Sequence, residues 1–423
     1  MNNQIILPLI LLFITACLLR KIHKSWLAPG AFFSLLWLFF IICPIVFAPE
    51  YYIPAFGIWI IFAICISVGI GSLFAISENK IETNNQSAEI IKFSSLVKSG
   101  TIISSILSII GLVLMLIYTI SRFNLDYSFI SFLILPNQIS AERYNELLIL
   151  PIYIKFFIYW VFPAAMFGGI GYGISRTKKE TLLYLSPLMI AVLKGTIETV
   201  RTTILLAIVV WLAAYIGSRV ATNDNLKKLL NKKTFVFLMI TGSLFILLFV
   251  AIDWLRFAGG EMFTDLIIGR IKLYFFGYLS AFTTWVTYNY NIDYTLGMST
   301  FAGPFDLLNL IDRKLGFYNH THIYNIYFTN VYSSLRGLIN DFSLFGTLLM
   351  GMIIGFLSTV TFNKTLNNNI FWLFPLTSFY AFILYSPVIS IFIYNSIIMS
   401  WIIVFSYLFI FQRYKQKQVD SIY

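Results

Sequence analysis

Long apolar runs recur from one end of this chain to the other, and they decide what it can fold into. The first, IILPLILLFITACLL, is followed directly by RKIHK, the reverse of the basic-then-apolar order of a cleaved signal peptide, so it reads as a retained span with its first residues outside. Further runs fall at 27–48, 53–76, 101–121, 150–174, 181–197, 202–218, 234–252, 342–362, 370–386 and 389–411, about eleven in all. In lipid every backbone N–H and C=O must be bonded within the protein, which leaves helices or a closed barrel. A barrel would show alternating segments of about 10 residues, and these runs are continuous instead. Only 11% of the residues are charged, against about 25% in an ordinary soluble domain. The expected fold class is an all-α, polytopic bundle of about eleven membrane helices, one membrane domain over residues 1–423.

The charges are sorted along the chain. Assigning alternate loops to one side, beginning with RKIHK, gathers 18 of the 29 basic residues there but only 6 of the 18 acidic ones, which makes +12 against −1. Lys and Arg collect on the cytoplasmic side of spans, so this side is expected to be cytoplasmic together with the C-terminus, and the N-terminus lies outside. The formal charge of +11 is therefore a topology signal, and nucleic acid is not an expected partner. Cys17, Cys43 and Cys65 lie one to a span without a CxxC pair, which favours packing over metal or disulfide chemistry.

The segment 253–341 is the longest stretch outside the apolar runs, and the charge partition puts it outside the membrane on the external face. It holds Arg256, Arg270 and Arg336, several carboxylates, His320, His322 and many tyrosines. A second external loop, 121–150, has an apolar middle and charged ends, which suits either a short interfacial helix with Arg122 and Arg143 near the headgroups or a plain covering loop.

Arginines at the outer ends of spans are not explained by topology. Arg201, in LKGTIETVRTTILLAIVVWLAAY, follows a brief polar break. A helix starting near Thr199 would set its free N–H groups beside the guanidinium, a place suited to a phosphate. Glu198, three residues earlier, gives the other reading, an ion pair that closes a tight turn. Arg336 precedes Asp341 and the next span, either as a second anion-binding group or as a snorkelling residue. Helical spacing puts Arg270, Tyr274 and Tyr278 on one face, either the lining of a sugar-phosphate groove or a peripheral helix. Tyr288, Tyr290 and Tyr294 suit sugar stacking and interface anchoring alike. His320 and His322 are titratable near neutrality; a two-residue spacing suits a metal only in an extended strand, and no third ligand is evident. No DxD pair occurs, and Gly168, Gly169, Gly171 and Gly173 lie within an apolar run, where they read as close helix packing. No metal and no cofactor is expected.

These features together resemble a known family. The layout of spans, the ETVRTTILLAIVVWL start, the large external loop in the second half and the passage NVYSSLRGLINDFSLFGTLLMGMIIGF look like the Wzy-type O-antigen polymerases, bacterial oligosaccharide repeat unit polymerases with a GT-C-like fold. Members tend to carry Asp-Phe-Gly in that passage; here Asp341-Phe342 is followed by Ser343, with Gly346 later. The histidine-glycine and arginine-glycine patterns of some relatives do not recur at their intervals, which leaves the roles of His320, His322, Arg256 and Arg270 open.

The resemblance implies a glycosyltransferase of the bacterial inner membrane. It would transfer a growing glycan from polyprenyl pyrophosphate to a new lipid-linked repeat unit at the outer face of the membrane. Its partners would be those lipid-linked glycans, membrane lipids, a chain-length regulator and a flippase. Arginines aimed at the leaving pyrophosphate would lower the barrier without a metal, with Arg201, Arg270 and Arg336 together offsetting the two diphosphates. Glu198 and Asp341 rank above His320 and His322 as the base, because both carboxylates flank arginines at span ends. An O-antigen ligase shares the lipid-linked donor and the large loop. A flippase or other transporter would favour ionisable residues mid-span and repeated halves. A structural membrane subunit would lack convergent external arginines.

Overall fold

The computed structural model describes residues 3–76, 86–144, 148–175, 177–222, 247, 249–251, 263–288, 290–311, 321–323, 327–329, 331, 333–367 and 370–420. Among the described residues, eight helices are long and apolar enough to cross a membrane: Gln4–His23, Pro29–Phe47, Ala55–Leu73, Phe93–Arg122, Ile152–Ile174, Lys178–Ile197, Arg201–Ala221 and Ser334–Leu366. Leu373–Tyr385 and Asn395–Ile410 are shorter apolar helices. The expected run at 234–252 lies almost wholly outside the described residues. Among the described residues the strands are Thr321–Ile323 (β1) and Tyr327–Thr329 (β2), an antiparallel pair with Thr321 opposite Thr329. The fold class is thus all-helical apart from that hairpin, and of the multi-pass membrane type.

Many hydroxyl side chains within the helices turn back on their own backbone, as they do where water is absent: Ser34 donates to the Gly30 carbonyl at 3.0 Å and Thr101 to Val97 at 2.8 Å. Such bonds let Ser and Thr sit inside apolar helices without an unpaired hydroxyl.

The chain divides into two compact units: Met1–Glu82 with Asn223–Leu226 and Ile268–Ile398, and Thr83–Thr222 with Lys227–Ile267 and Met399–Tyr423. In the first unit α1 (Asn3–His23), α2 (Pro29–Phe47) and α3 (Ala55–Leu73) pack together. The second unit holds α4 (Gln86–Arg122), α5 (Phe129–Tyr144), α6 (Ile152–Tyr159), α7 (Val161–Ile174), α8 (Lys178–Ile197) and α9 (Arg201–Ala221). After α10 (Phe263–Tyr288) and the short α11 (Ala302–Leu307), the first unit continues with α12 (Ser334–Leu366) and α13 (Leu373–Tyr385); α14 (Asn395–Asp420) ends the described chain.

In the second unit α7 is wedged against both α8 and α9, and its glycines make that possible. A Cβ on Gly169 would lie 2.1 Å from the Trp211 carbonyl oxygen of α9, and one on Gly171 2.1 Å from the Tyr184 ring of α8. Trp211 in turn donates from Nε1 to the Tyr184 carbonyl at 3.0 Å, tying α9 to α8. The reading of these glycines as helix packing holds. This wedge fixes the α8–α9 hairpin whose turn carries Glu198 and Arg201.

In the first unit the later part of α12 lies equally close to α3: a Cβ on Gly355 would sit 2.0 Å from the Val68 carbonyl oxygen. The C-terminal half of α10 is buried against α2 and the start of α3, where Ser280 donates to the Tyr52 carbonyl at 2.5 Å. The 253–341 segment therefore contains a helix that is part of the helical core of its unit.

Candidate functional site

The α8–α9 turn is built by the backbone before any side chain matters. Helix α8 ends with Thr199 in the left-handed region, φ 51°, and with bonds from Thr199 N to Thr196 O at 3.2 Å and from Val200 N to Gly195 O at 2.8 Å. This is a Schellman ending, whose left-handed position usually falls to glycine. Val200 is extended, φ −110° and ψ 99°, and α9 begins at Arg201. The start expected near Thr199 thus falls two residues later, because Thr199 finishes the preceding helix instead of capping the next.

Three charged side chains meet this turn. Lys194, one turn before the end of α8, is buried, and its Nζ lies 3.7 Å from Glu198 Oε2 and 5.5 Å from the centre of the Phe162 ring. The Arg201 guanidinium is stacked over Phe249, Cζ 3.8 Å from the ring centre. The turn sits under α5: Ile197 packs on a cluster of Ile120, Leu135 and Ile139, so the expected helix in 121–150 exists and covers the end of α8. Arg122 is tied to Glu142 of α5 at 2.8 Å. Nearby, hydrogen bonds from the Ser131 and then the Ser128 hydroxyl hold the Asp126 carboxyl below the usual carboxylate range.

Arg336 and Asp341 belong to the first unit, on the opening stretch of α12. This stretch starts at Ser333, φ 83°, whose Oγ accepts from Leu335 N at 3.0 Å, and Ser334 N donates to the Ser386 carbonyl at 2.7 Å. It breaks at Ser343, φ 63° and ψ 179°, so α12 is two helices in line. Ser343 caps the second of them, its Oγ accepting from Gly346 N at 3.4 Å. Asp341 is fully buried just before the break. Its Oδ1 accepts from Thr295 Oγ1 at 2.5 Å and from Ser299 N at 2.9 Å, and its Oδ2 accepts from Thr300 N at 2.7 Å. Both carboxylate oxygens are thereby committed to the turn before α11, which they hold in place. Arg336 lies over the buried Trp285 of α10, Cζ 4.8 Å from the ring centre, and Tyr290 packs on the same indole.

On α10, Arg270, Tyr274 and Tyr278 share a face by spacing but not an environment. Arg270 is half-buried and Tyr274 exposed, whereas Tyr278 is buried edge-on against Phe40 and donates to the Phe40 carbonyl at 2.5 Å. Tyr278 is spent on the contact with α2. His322 falls in β1 opposite Phe328. His320 and Arg256 lie outside the described residues. Tyr288, Tyr290 and Tyr294 are exposed at and beyond the end of α10, with Tyr288 bonded through its hydroxyl to Tyr52 at 3.0 Å. Among the described residues no three His, Cys, Asp or Glu side chains cluster as a metal site.

The residue that the sequence reading passes over is Lys194. The signal was present, since an ionisable side chain inside an apolar run marks a functional site by default. A helical i,i+4 offset from Glu198 also identifies its partner.

Fold and site together define a helical multi-pass membrane protein in which a turn between two apolar helices gathers charged side chains. Compared with protein-family models, with curated proteins and with solved structures, the chain finds no match in any of the three.

Proposed function

We propose that this chain polymerises polyprenyl-pyrophosphate-linked oligosaccharide repeat units, as the Wzy-type polymerases that it resembles do, at the outer face of the bacterial inner membrane. The observation that carries the reading is Arg201, the first residue of α9, at a turn between two spans. The first N–H groups of α9 have no partner within their own helix, and its dipole is positive there, so guanidinium and helix end both favour an anion. In this reading the spans number eleven, the run at 234–252 included, the fold is GT-C-like, the N-terminus is periplasmic and the C-terminus cytoplasmic.

In the reaction the bond between the sugar's anomeric carbon and the diphosphate oxygen breaks, and the acceptor hydroxyl forms the new glycosidic bond. The acceptor proton passes to a base, and polyprenyl diphosphate departs with the bonding electrons. Charge grows on the leaving diphosphate in the transition state, where a fixed guanidinium and oriented N–H groups stabilise it more than in the ground state. Glu198 is the base of this proposal: it is the carboxylate beside those cations. Asp341 holds the turn before α11.

The test uses purified protein and a synthetic lipid-linked repeat unit in the presence of a chelator. The expected products are glycans of two or more repeat units on one lipid, with one polyprenyl diphosphate released per bond formed. Transfer to a lipid A core acceptor alone would make the chain a ligase, and lipid translocation without any new bond would make it a transporter; either result overturns the proposal.

A further inference from the structure

We infer that the end of the first unit where α1, α3 and α12 finish binds an anionic phospholipid of the surrounding membrane. Arg20, Lys21 and Lys24 stand at and just past the close of α1, and Lys364 near the close of α12, all four exposed. The end of α3 brings these two groups together. His23 Nε2 shares a hydrogen bond with the Ser72 hydroxyl at 3.2 Å, and Asn363 donates from Nδ2 to the Ala75 carbonyl at 2.7 Å. The turns that follow α1 and α12 are joined as well, since Tyr380 of α13 donates from its hydroxyl to the Leu27 carbonyl at 2.5 Å.

Charge sets this end apart from the rest of the unit. Among the described residues of the first unit the carboxylates are Glu50, Asp293, Asp306 and Asp341, and none pairs with these four cations. Glu50 is taken by Lys272, Asp306 by Asn395 and Asp341 by the turn before α11. Two of the cations rest instead on indole faces, Arg20 Cζ 5.3 Å from the centre of the Trp26 ring and Lys364 Nζ 4.0 Å from that of Trp372. A ring face orients a cation but brings no net negative charge, so the four charges have no counter-charge among the described residues. Tryptophan also favours the headgroup level of a membrane, which sets both pairs at the depth of lipid phosphates. Topology alone accounts for basic residues at span ends, but not for their convergence from two turns. Beside them Leu18 and Ile22 are 55% and 44% exposed, and Phe74 is 73% exposed. Any lipid would cover this apolar surface, and only an anionic one also meets the charge.

The full-length protein, purified in detergent, is titrated with phosphatidylglycerol or phosphatidylcholine, and bound lipid is measured by native mass spectrometry. Phosphatidylglycerol is expected to bind at least about 10-fold more tightly. Arg20→Gln and Lys364→Gln should each weaken its binding about 5-fold, the size of one basic residue's attraction to an anionic surface. Lys21→Gln, at an exposed position of α1, is expected to do the same and keeps the test readable if either of the others fails to accumulate. Lys364→Arg, which keeps the charge, should bind as wild type does. Lys272→Gln, at the exposed pair with Glu50, should leave binding unchanged. Equal binding of the two lipids overturns the inference. So does binding that is unchanged in the three Gln variants at this end, or weakened as much in Lys272→Gln. Displacement of bound phosphatidylglycerol by an equal concentration of inorganic phosphate would make the ligand a free anion and overturn it too.

Discussion

Thr199 and Ser343 are both hydroxyl residues held at positive φ, 51° and 63°, in positions where glycine would be relaxed, yet the groups around them are used in opposite ways. At the Ser343 break the neighbouring carboxylate is satisfied: Asp341 takes a hydroxyl and two backbone N–H groups from one turn. At the Thr199 reversal charge meets charge instead, the buried Lys194 lying 3.7 Å from Glu198 one helical turn on, with Arg201 opening the next helix. A buried carboxylate with both oxygens bonded to one turn is a structural tie. A guanidinium at the first residue of a helix adds its charge to the positive end of the helix dipole, which favours an anion. The same local strain thus serves architecture in one unit and, in this account, recognition in the other.

The largest expected effect on stability is at Asp341. Asp341→Asn keeps the shape but sets an amide N–H against one of the donors it now receives, so the turn before α11 should loosen at a cost of about 2–3 kcal/mol. The check is a thermal melt of purified protein in detergent, together with accumulation in the membrane. A melt equal to wild type would show that the tie is dispensable and would break the comparison at its structural end.

Next come the two strained hydroxyl residues. Replacing either by glycine relieves a backbone conformation that costs about 1–3 kcal/mol in a residue with a Cβ. Part of that gain is lost to the freer unfolded chain. Thr199→Gly and Ser343→Gly should each raise stability by up to about 1 kcal/mol, Ser343→Gly less because the cap on Gly346 N goes with the hydroxyl. Melts that fall in both variants would mean that the hydroxyls matter more than the strain.

The smallest effect is expected at an exposed ion pair. Lys272 Nζ lies 2.8 Å from Glu50 Oε1, and that hydrogen bond first of all holds the Glu50 carboxyl below its usual range. A lowered carboxylate contributes stability that is present above its unfolded pKa and lost as pH falls through the lowered value. Because both side chains are solvated, Lys272→Gln should change stability by less than about 0.5 kcal/mol at neutral pH, and the variant should lose less than wild type on acidification. A larger change would show that solvation does not separate this pair from the buried charges.

The spans were legible because a continuous apolar run has few other uses, and the glycines of α7 were legible because four in one span have little purpose except close approach. The start of α12 was not. The expected span at 342–362 omits the helical turns from Ser334, whose Asn340 and Asp341 look like loop residues on a hydropathy scale. Their polarity is absorbed by partners such as Thr295, 46 residues away in the chain, which no local pattern reveals. Tyr278 looked like its neighbour Tyr274 for a similar reason, since spacing gives a helix face but not what lies against it. Lys194 was hidden differently, as a lone charge inside a strong apolar run.

The central claim is that the α8–α9 turn holds the diphosphate through Arg201. It is tested most directly in the purified polymerisation assay with Arg201→Lys and Arg201→Ala, after circular dichroism and melting show that both variants remain folded. Arg201→Lys keeps the charge but loses the planar, two-pronged donor set, and an ammonium cannot stack on Phe249 as the guanidinium does. The expected result is polymer synthesis reduced at least about 10-fold in Arg201→Lys and further still in Arg201→Ala, the scale of one lost charge-assisted contact. A full-length polymer ladder made at the wild-type rate by folded Arg201→Ala would contradict the account.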